Sequence, residues 1–571
     1  MRNTTLLKIT LAAFLTAPAF GNYLWTNFAG DNDFANPANW SGTGNTWIVA
    51  LDGVNRAILG DGHTLFLNNN FAIGRSEGGD GEVEINGSTI SFERVLRLGA
   101  DGFDGKLTMT NGIMNIGRGI NIGQDGGSTG TLVVSGGTIN ANSARTNAND
   151  RLDVGADGTT GILEMSGSAV INFPTAIANI GGGLDSVATV SISGNAILTL
   201  GSGIDAEVSA GENAMSTVSI FDNGQLNVGR DARIGEGQNA EVTLDLSGDG
   251  ALVAGRNARF GFGADTTVSL NVSGGVLSAA NGFMTMGQAA GTNVSVNMSG
   301  GVIIADRLSF SNNADGASIL NMTGGVIQVV RSGESTATTT GAFRMGPGSS
   351  TLDIGGNALI DTEKLWIDNG GLLTLSGNAL IDVKGSTDGE NPTFDFARAF
   401  VANDWSGVLG KISFNGGSLV VAGATNTFFL SDGATPPVLT QVTVNYADLL
   451  NAAIAEGVIY TDVAGGILEA RYDAGADLTE LVLTSDEAPV VNVVILREAG
   501  VLSLSIDGPA GLAVAIETST DLTANSWTEV DVVTLGVEST IWTDPNPAHA
   551  PNPRRFYRGR IGEAVMEAMG N

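Results

Sequence analysis

A short phrase recurs down this chain: an alternating apolar run, a turn rich in Ser, Gly and Asn, and a second alternating run, as in GTLVVSGGTIN from Gly130 to Asn140. Near-copies include TMTNGIM, EMSGSAV, SISGNAI, NVSGGVL, NMSGGVI and TLSGNAL. Twelve turn glycines from Gly87 to Gly377 follow one another at intervals of 22 to 31 residues, about 26 on average. A period of this size means one supersecondary unit per repeat. Inside a unit the apolar residues alternate, Leu132 and Val134 then Ile139, Leu107 and Met109 then Ile113, which is the period of a strand and not of a helix. A second corner follows each pair, as in LGADGFDG, IGQDGGSTG and VGADGTTG. Three short strands between Gly, Asn and Asp corners make one coil of a right-handed parallel β-helix, with Val, Ile, Leu and Met stacked inside and Thr, Ser, Asn and Asp outside. A lone coil cannot bury enough apolar surface to offset the entropy of ordering it, so many must stack and both ends must be covered.

Composition agrees with a turn-rich β protein. The 571 residues include 82 Gly and 13 Pro, with 15% charged and 42% hydrophobic residues, and the Gly has no triplet period, so the chain is neither collagen-like nor a disordered polar tail. The formal charge is −32, from 27 Lys plus Arg against 59 Asp plus Glu, and no basic cluster exceeds Arg554 and Arg555 with Arg558 and Arg560. A surface that binds nucleic acid needs a basic stripe to release counterions, so nucleic acid is not an expected partner. Cysteine is absent, which excludes disulfides, thiolate metal sites and a cysteine nucleophile and suits export to an oxidising compartment.

The remaining segments set the domain plan. Residues 1–21 carry Arg2 and Lys8, an apolar run from Ile9 to Leu15 and small residues at Ala17 and Ala19, the pattern of a cleaved signal peptide. No later stretch has 18 uninterrupted apolar residues, so the mature chain is expected to be secreted or held at the cell surface without a transmembrane segment. Residues 22–80, with Trp25, Trp40 and Trp47, read as an N-terminal β cap, and residues 81–425 as the repeats, AFVANDWSGVLGKISFNGGSLVVAGA forming the last coil or two. Residues 426–485 read as a C-terminal cap with one short helix in NYADLLNAAIAEGVIY: Asn445 caps it, Leu449, Leu450, Ala453 and Ile454 form its apolar face, and Gly457 stops it. After the hinge SDEAP from Ser485 to Pro489, residues 490–562 alternate in short strands, the mark of a small β-sandwich with Trp527, Trp542, Phe556 and Tyr557 as candidate core.

The coils GTLVVSGGTIN, TVSLNVSGGVLSAANGFMTMG and VSVNMSGGVIIADRLSF resemble the repeats of bacterial autotransporter-passenger-like and pectin-lyase-like β-helix proteins over roughly residues 60 to 425. The opening W…NPANW is similar to the start of many such exported proteins, and IETSTDLTANSWTEV…FYRGR resembles a C-terminal β-sandwich module of large bacterial secreted proteins. The resemblance implies a fold and an extracellular setting, not an activity.

Chemistry is sparse. Oxygen-rich turns place Glu77, Asp80, Glu82, Asp101 and Asp104 as the candidate metal ligands, and calcium is the ion they would suit. They lack the tandem nine-residue spacing of a calcium-binding β-roll, and Asp-Gly is also what an unliganded turn prefers. The β-helix pectinases that the repeats resemble carry a G-H-G motif and an adjacent pair of aspartates; here the only histidines are His63 and His549, in DGHT and PAHA, and no two aspartates adjoin. Arg97, Arg118 and Arg230 with Asp231 read as solvated coil edges. The expected protein is therefore a secreted or cell-surface structural or adhesion protein, non-catalytic and without a cofactor, whose partners are extracellular glycans or envelope proteins. The alternative is a polysaccharide lyase or glycoside hydrolase of the β-helix class, which would hold convergent Arg, Asp or Glu in a groove along one coil face.

Overall fold

The computed structural model describes residues 21–25, 40–41, 55–60, 64–67, 71–74, 79–141, 151–174, 177–201, 205–329, 331, 341–367, 371–385, 394, 396–431, 439–485, 492–498, 501–508, 513–519, 528–536, 539–543 and 556–561. Residues 1–20 of the proposed signal peptide, Trp47, His63, Glu77, Trp527 and His549 lie outside the described residues. The chain divides into two units, Met1–Asp462 with Leu468–Leu483, and Val463–Ile467 with Thr484–Asn571.

The first unit is a parallel β-solenoid of about eleven turns. Up to Ile367 the turns supply strands to three sheets: Thr160–Met165, Val170–Phe173 and Ala178–Ile180 form one turn, and Val187–Ile192, Ile197–Leu200 and Ala206–Val208 stack on it in parallel register. Because the pairing is parallel and in register, equivalent residues form columns. One column of the first sheet runs through Val83, Leu107, Leu132, Leu163 and Val190 and continues unbroken to Leu373 and Ile412. These side chains are buried. Such burial is the main favourable term, shared by each coil with both neighbours.

Polar columns line the outside. Asn140 donates from Nδ2 to Asn115 Oδ1 at 3.3 Å and Asn172 to Asn140 at 3.1 Å; Asn271, Asn297 and Asn321 continue the same pattern from Asp245 on the first sheet. One inward assignment is corrected. Ile113 is 43% exposed and Met114 takes the interior place, because the corner between the first two strands shifts the inner position five residues on, from Met109 to Met114 as from Val134 to Ile139.

The solenoid closes with mixed structure. Tyr446–Ala455 is a helix whose cap Asn445 accepts from Asp448 N, with Leu449, Leu450 and Ala453 buried and Gly457 at φ +66° just beyond its end. Strand Leu478–Ser485 pairs antiparallel with Ser418–Ala422, so a hydrogen-bonding edge that parallel stacking leaves open is covered. The segment expected to be plain coil contains a second helix, Ala397–Ala402, followed by coil strands Lys411–Phe414 and Ser418–Ala422.

The second unit holds two three-stranded antiparallel sheets, Asn492–Glu498 with Val501–Asp507 and Thr540–Thr543, and Thr528–Thr534 with Ala513–Ser519 and Phe556–Ile561. Leu504, Ile506 and Trp542 of one meet Val514 and Ile516 of the other in a common core, the sandwich arrangement. Trp542 also donates its indole N–H to Asp531 at 2.7 Å. No helix among the described residues is long and apolar enough to cross a membrane.

Candidate functional site

The third strand of each turn is short, with its first and third residues inward and its middle residue outward, as in Ala206–Val208 and Ala232–Ile234. In-register stacking puts those middle residues in one column, in which Asp153, Asn179, Glu207, Arg233 and Arg259 follow one another. Thr285, Ser309, Arg344 and Trp366 continue it. From Asp153 to Arg259 the outward groups are mostly charged, and they are linked.

At the lower end Arg151 Nε donates to Asp153 Oδ2 at 2.6 Å. Asn179, with its amide oriented by its neighbours, accepts from Arg151 at 3.1 Å and donates to Glu207 at 3.2 Å. Arg233 then bonds Glu236 at 3.0 Å, Glu207 at 3.4 Å and Asp205 at 3.2 Å. Arg230 grips Asp205 with two nitrogens, and Arg256 grips Asp231 one coil on at 2.8 and 2.6 Å.

The repeated phrases GRDARIG, residues 229–235, and GRNARFG, residues 255–261, build this corner. Asp205 Oδ1 accepts from Asp231 N at 3.1 Å, Asp231 Oδ1 from Asn257 N at 3.2 Å, and Asn257 Oδ1 from Phe283 N at 2.9 Å. Each side chain therefore satisfies a backbone donor of the next coil; Asp205 and Asp231 also take an arginine, and Asn257 donates from Nδ2 to Asp231 at 3.0 Å. Asp205, Asp231 and Asn257 are buried, which corrects the expectation of a solvated edge for Asp231, whereas Arg230 keeps an exposed side chain: a buried carboxylate is tolerated here because two kinds of donor surround it.

The carboxylates differ in electrostatic state. Burial, with Glu236 adding repulsion, raises the Glu207 pKa above the usual carboxylate range despite Arg233, and burial likewise raises that of Asp153 despite Arg151. For Asp231, burial pushes upward, but the hydrogen bond and charge of Arg256, the Asn257 N–H and Arg259 outweigh it and the pKa is lowered. Aromatic rings back the arginines of the upper half: Arg233 and Arg259 lie 5.6 and 5.5 Å from the centre of Phe262, Arg307 lies 4.1 Å from Phe283, and Arg344 lies 5.8 Å from Trp366. At the lower end Asn121, Gln124, Asp125, Arg151, Asp153 and Asp157 line a cavity of about 170 Å³.

The described calcium candidates, Asp80, Glu82, Asp101 and Asp104, sit elsewhere and are already engaged. Asp80 Oδ1 accepts from Asp104 N at 2.8 Å, Asp104 Oδ1 accepts from Thr129 N at 2.7 Å, Glu82 lies 3.6 Å from Lys106, and Asp101 occupies a left-handed turn position at φ 55°. Asp80 and Asp104 thus cap the next coil's backbone. Among the described residues no group of three or more His, Asp or Glu is placed to hold a metal ion. The tandem of the two arginine phrases one coil apart was the available signal for the ladder, since stacking alone brings Asp231 to Arg256. No protein-family model, no curated protein and no solved structure matches the chain.

Proposed function

We propose that the protein is a secreted or cell-surface scaffold, a stiff non-catalytic β-helix of the autotransporter-passenger-like or pectin-lyase-like kind, exported by a cleaved signal peptide at residues 1–21 and used for adhesion. The observation that supports this reading is the unbroken run of a buried aliphatic column, which ties each described turn to both its neighbours. Parallel stacking fixes each coil by its neighbours, so a face built on it keeps its spacing under load. The charged groups of the third face are engaged largely with one another, as in a structural ladder. The test is incubation of the purified protein with a panel of acidic and neutral polysaccharides, following unsaturated product by ultraviolet absorbance and new reducing ends chemically. No product is expected, and product would overturn the scaffold reading.

A second reading is favoured by one feature. Glu207, with its raised pKa, and Glu236 share the Arg233 guanidinium, and carboxylates whose environments differ are what glycoside hydrolysis uses. Were the panel to yield reducing ends, Glu207→Gln should abolish them.

A further inference from the structure

We propose that the hollow beside the corners at Gln124, Ala156 and Gly182 binds a small aliphatic primary amine in its ammonium form. This goes beyond the adhesion reading and does not depend on it.

The hollow comes from side-chain size in one column. The residue after each corner glycine stacks on its counterpart one coil below: Gln124 N donates to Gly99 O at 2.9 Å, Ala156 N to Gly123 O at 3.0 Å and Gly182 N to Gly155 O at 2.9 Å. Two and three coils above Gly182 the same place is held by Glu236 and Phe262, large side chains that lie against Arg233. Ala156 and Gly182 leave it open, and the space becomes the cavity of about 170 Å³. Pockets for drug-sized ligands begin at roughly 300 Å³, so the occupant is small.

The walls are rich in acceptors. Asn121 is 3% exposed and its Oδ1 has no hydrogen-bond partner; Gln124 Oε1 is buried without one as well. A buried acceptor left unpaired is costly, so two of them lining one cavity point to a donor in it. Three acids, Asp125, Asp153 and Asp157, stand against one base in the lining. That base is already engaged, since Arg151 donates to Asp153 at 2.6 Å and to Asn179 at 3.1 Å. The occupant is therefore a cation that donates.

An ammonium meets those terms better than a metal ion. It carries three N–H donors and no acceptor, which suits Asn121 Oδ1, Gln124 Oε1 and the exposed Asp125 carboxylate. Calcium takes about six to eight oxygens, whereas Asp157 Oδ1 already accepts from Leu184 N at 2.9 Å and Asp153 is held by Arg151. Among the described residues no three acids are placed to hold an ion. Ala156 and the bare Gly182 give the alkyl chain an uncharged wall.

The test is isothermal titration calorimetry of the full chain, in an amine-free buffer, with butylamine, butane-1,4-diamine, tetramethylammonium and calcium chloride. Saturable binding of both amines at a single site is expected, and none of tetramethylammonium, which has the charge but no N–H. Asn121→Leu, which removes the unpaired acceptor, should weaken amine binding by about tenfold or more. Ala156→Gln fills the hollow with the side chain that the coil below carries at the same place; it should abolish binding and serves if Asn121→Leu does not fold. Glu164→Gln removes an exposed acid from the first sheet and should leave binding unchanged. No binding of either amine, equal binding of tetramethylammonium, wild-type affinity in a folded Asn121→Leu or Ala156→Gln variant, or calcium displacing the amine would overturn the proposal. None of these outcomes bears on the polysaccharide panel, so the scaffold reading fails or stands separately.

Discussion

Asp231 shows how a single side chain serves two coils. It accepts from Asn257 N and Nδ2 and from two Arg256 nitrogens, so Asp231→Ala releases the half-exposed Arg256 to solvent and strands the buried Asn257 donors. Leaving a buried donor unsatisfied costs about 1 to 3 kcal/mol, and a fall of that order is expected, read as a lower urea midpoint. The pH dependence has two signs. Asp231 has a lowered folded pKa, so its stabilisation is present above the ordinary carboxylate pKa and is lost as pH falls through the lowered value. Glu207 has a raised folded pKa, so its contribution is present at low pH and is lost as pH rises through the raised value. Glu207→Gln should therefore raise the melting temperature at pH 7, with the gain shrinking towards pH 4; a variant less stable at pH 7 than at pH 4, relative to wild type, would contradict the assignment.

The element scale is set by the corner after each third strand. Gly123 there has φ +71°, and a Cβ would stand 2.4 Å from Thr160 O, so the corner admits no side chain in that coil. Ser209 fills the same corner at φ 50° between Gly181 and Gly235, and its Oγ bonds Ser216 Oγ at 2.7 Å; the neighbouring coil has Gly181 and Ala188 at these two positions. Ser216→Ala alone should cost about 1 kcal/mol by removing that partner, whereas Ser209→Gly with Ser216→Ala transplants the neighbour's pair and should be neutral within about 0.5 kcal/mol. A double-mutant cycle on urea midpoints checks the coupling, and additive effects would contradict it. Such local signals made much of the architecture legible. Alternation in LVV and TIN, the corner glycines and the cap at Asn445 each act within a few residues and were read without tertiary knowledge. Ala397–Ala402 was not, because its cap residue Phe396 makes no side-chain hydrogen bond and the segment is held by the stacking of Phe394, Phe396 and Trp405. The ladder was hidden for a related reason: Arg256 and Asp231 lie 25 residues apart, each resembling a solvated charge until a full coil brings them together.

For the molecule as a whole, the decisive quantity in the solenoid unit is a constant step from coil to coil. Thr189, Thr217, Thr243, Ser269 and Ser295 occupy one outward column of the first sheet in exact parallel register. The chain contains no cysteine, so paired substitutions can be spin-labelled without background. The most direct measurement is pulsed dipolar spectroscopy on Thr189→Cys combined in turn with cysteine at 217, 243, 269 and 295. A parallel stack predicts mean distances that rise linearly by about 4.8 Å per coil with narrow distributions throughout. Distances that plateau, fall or broaden along the series would mean separate lobes or hairpin-joined sheets, and the scaffold account would not stand.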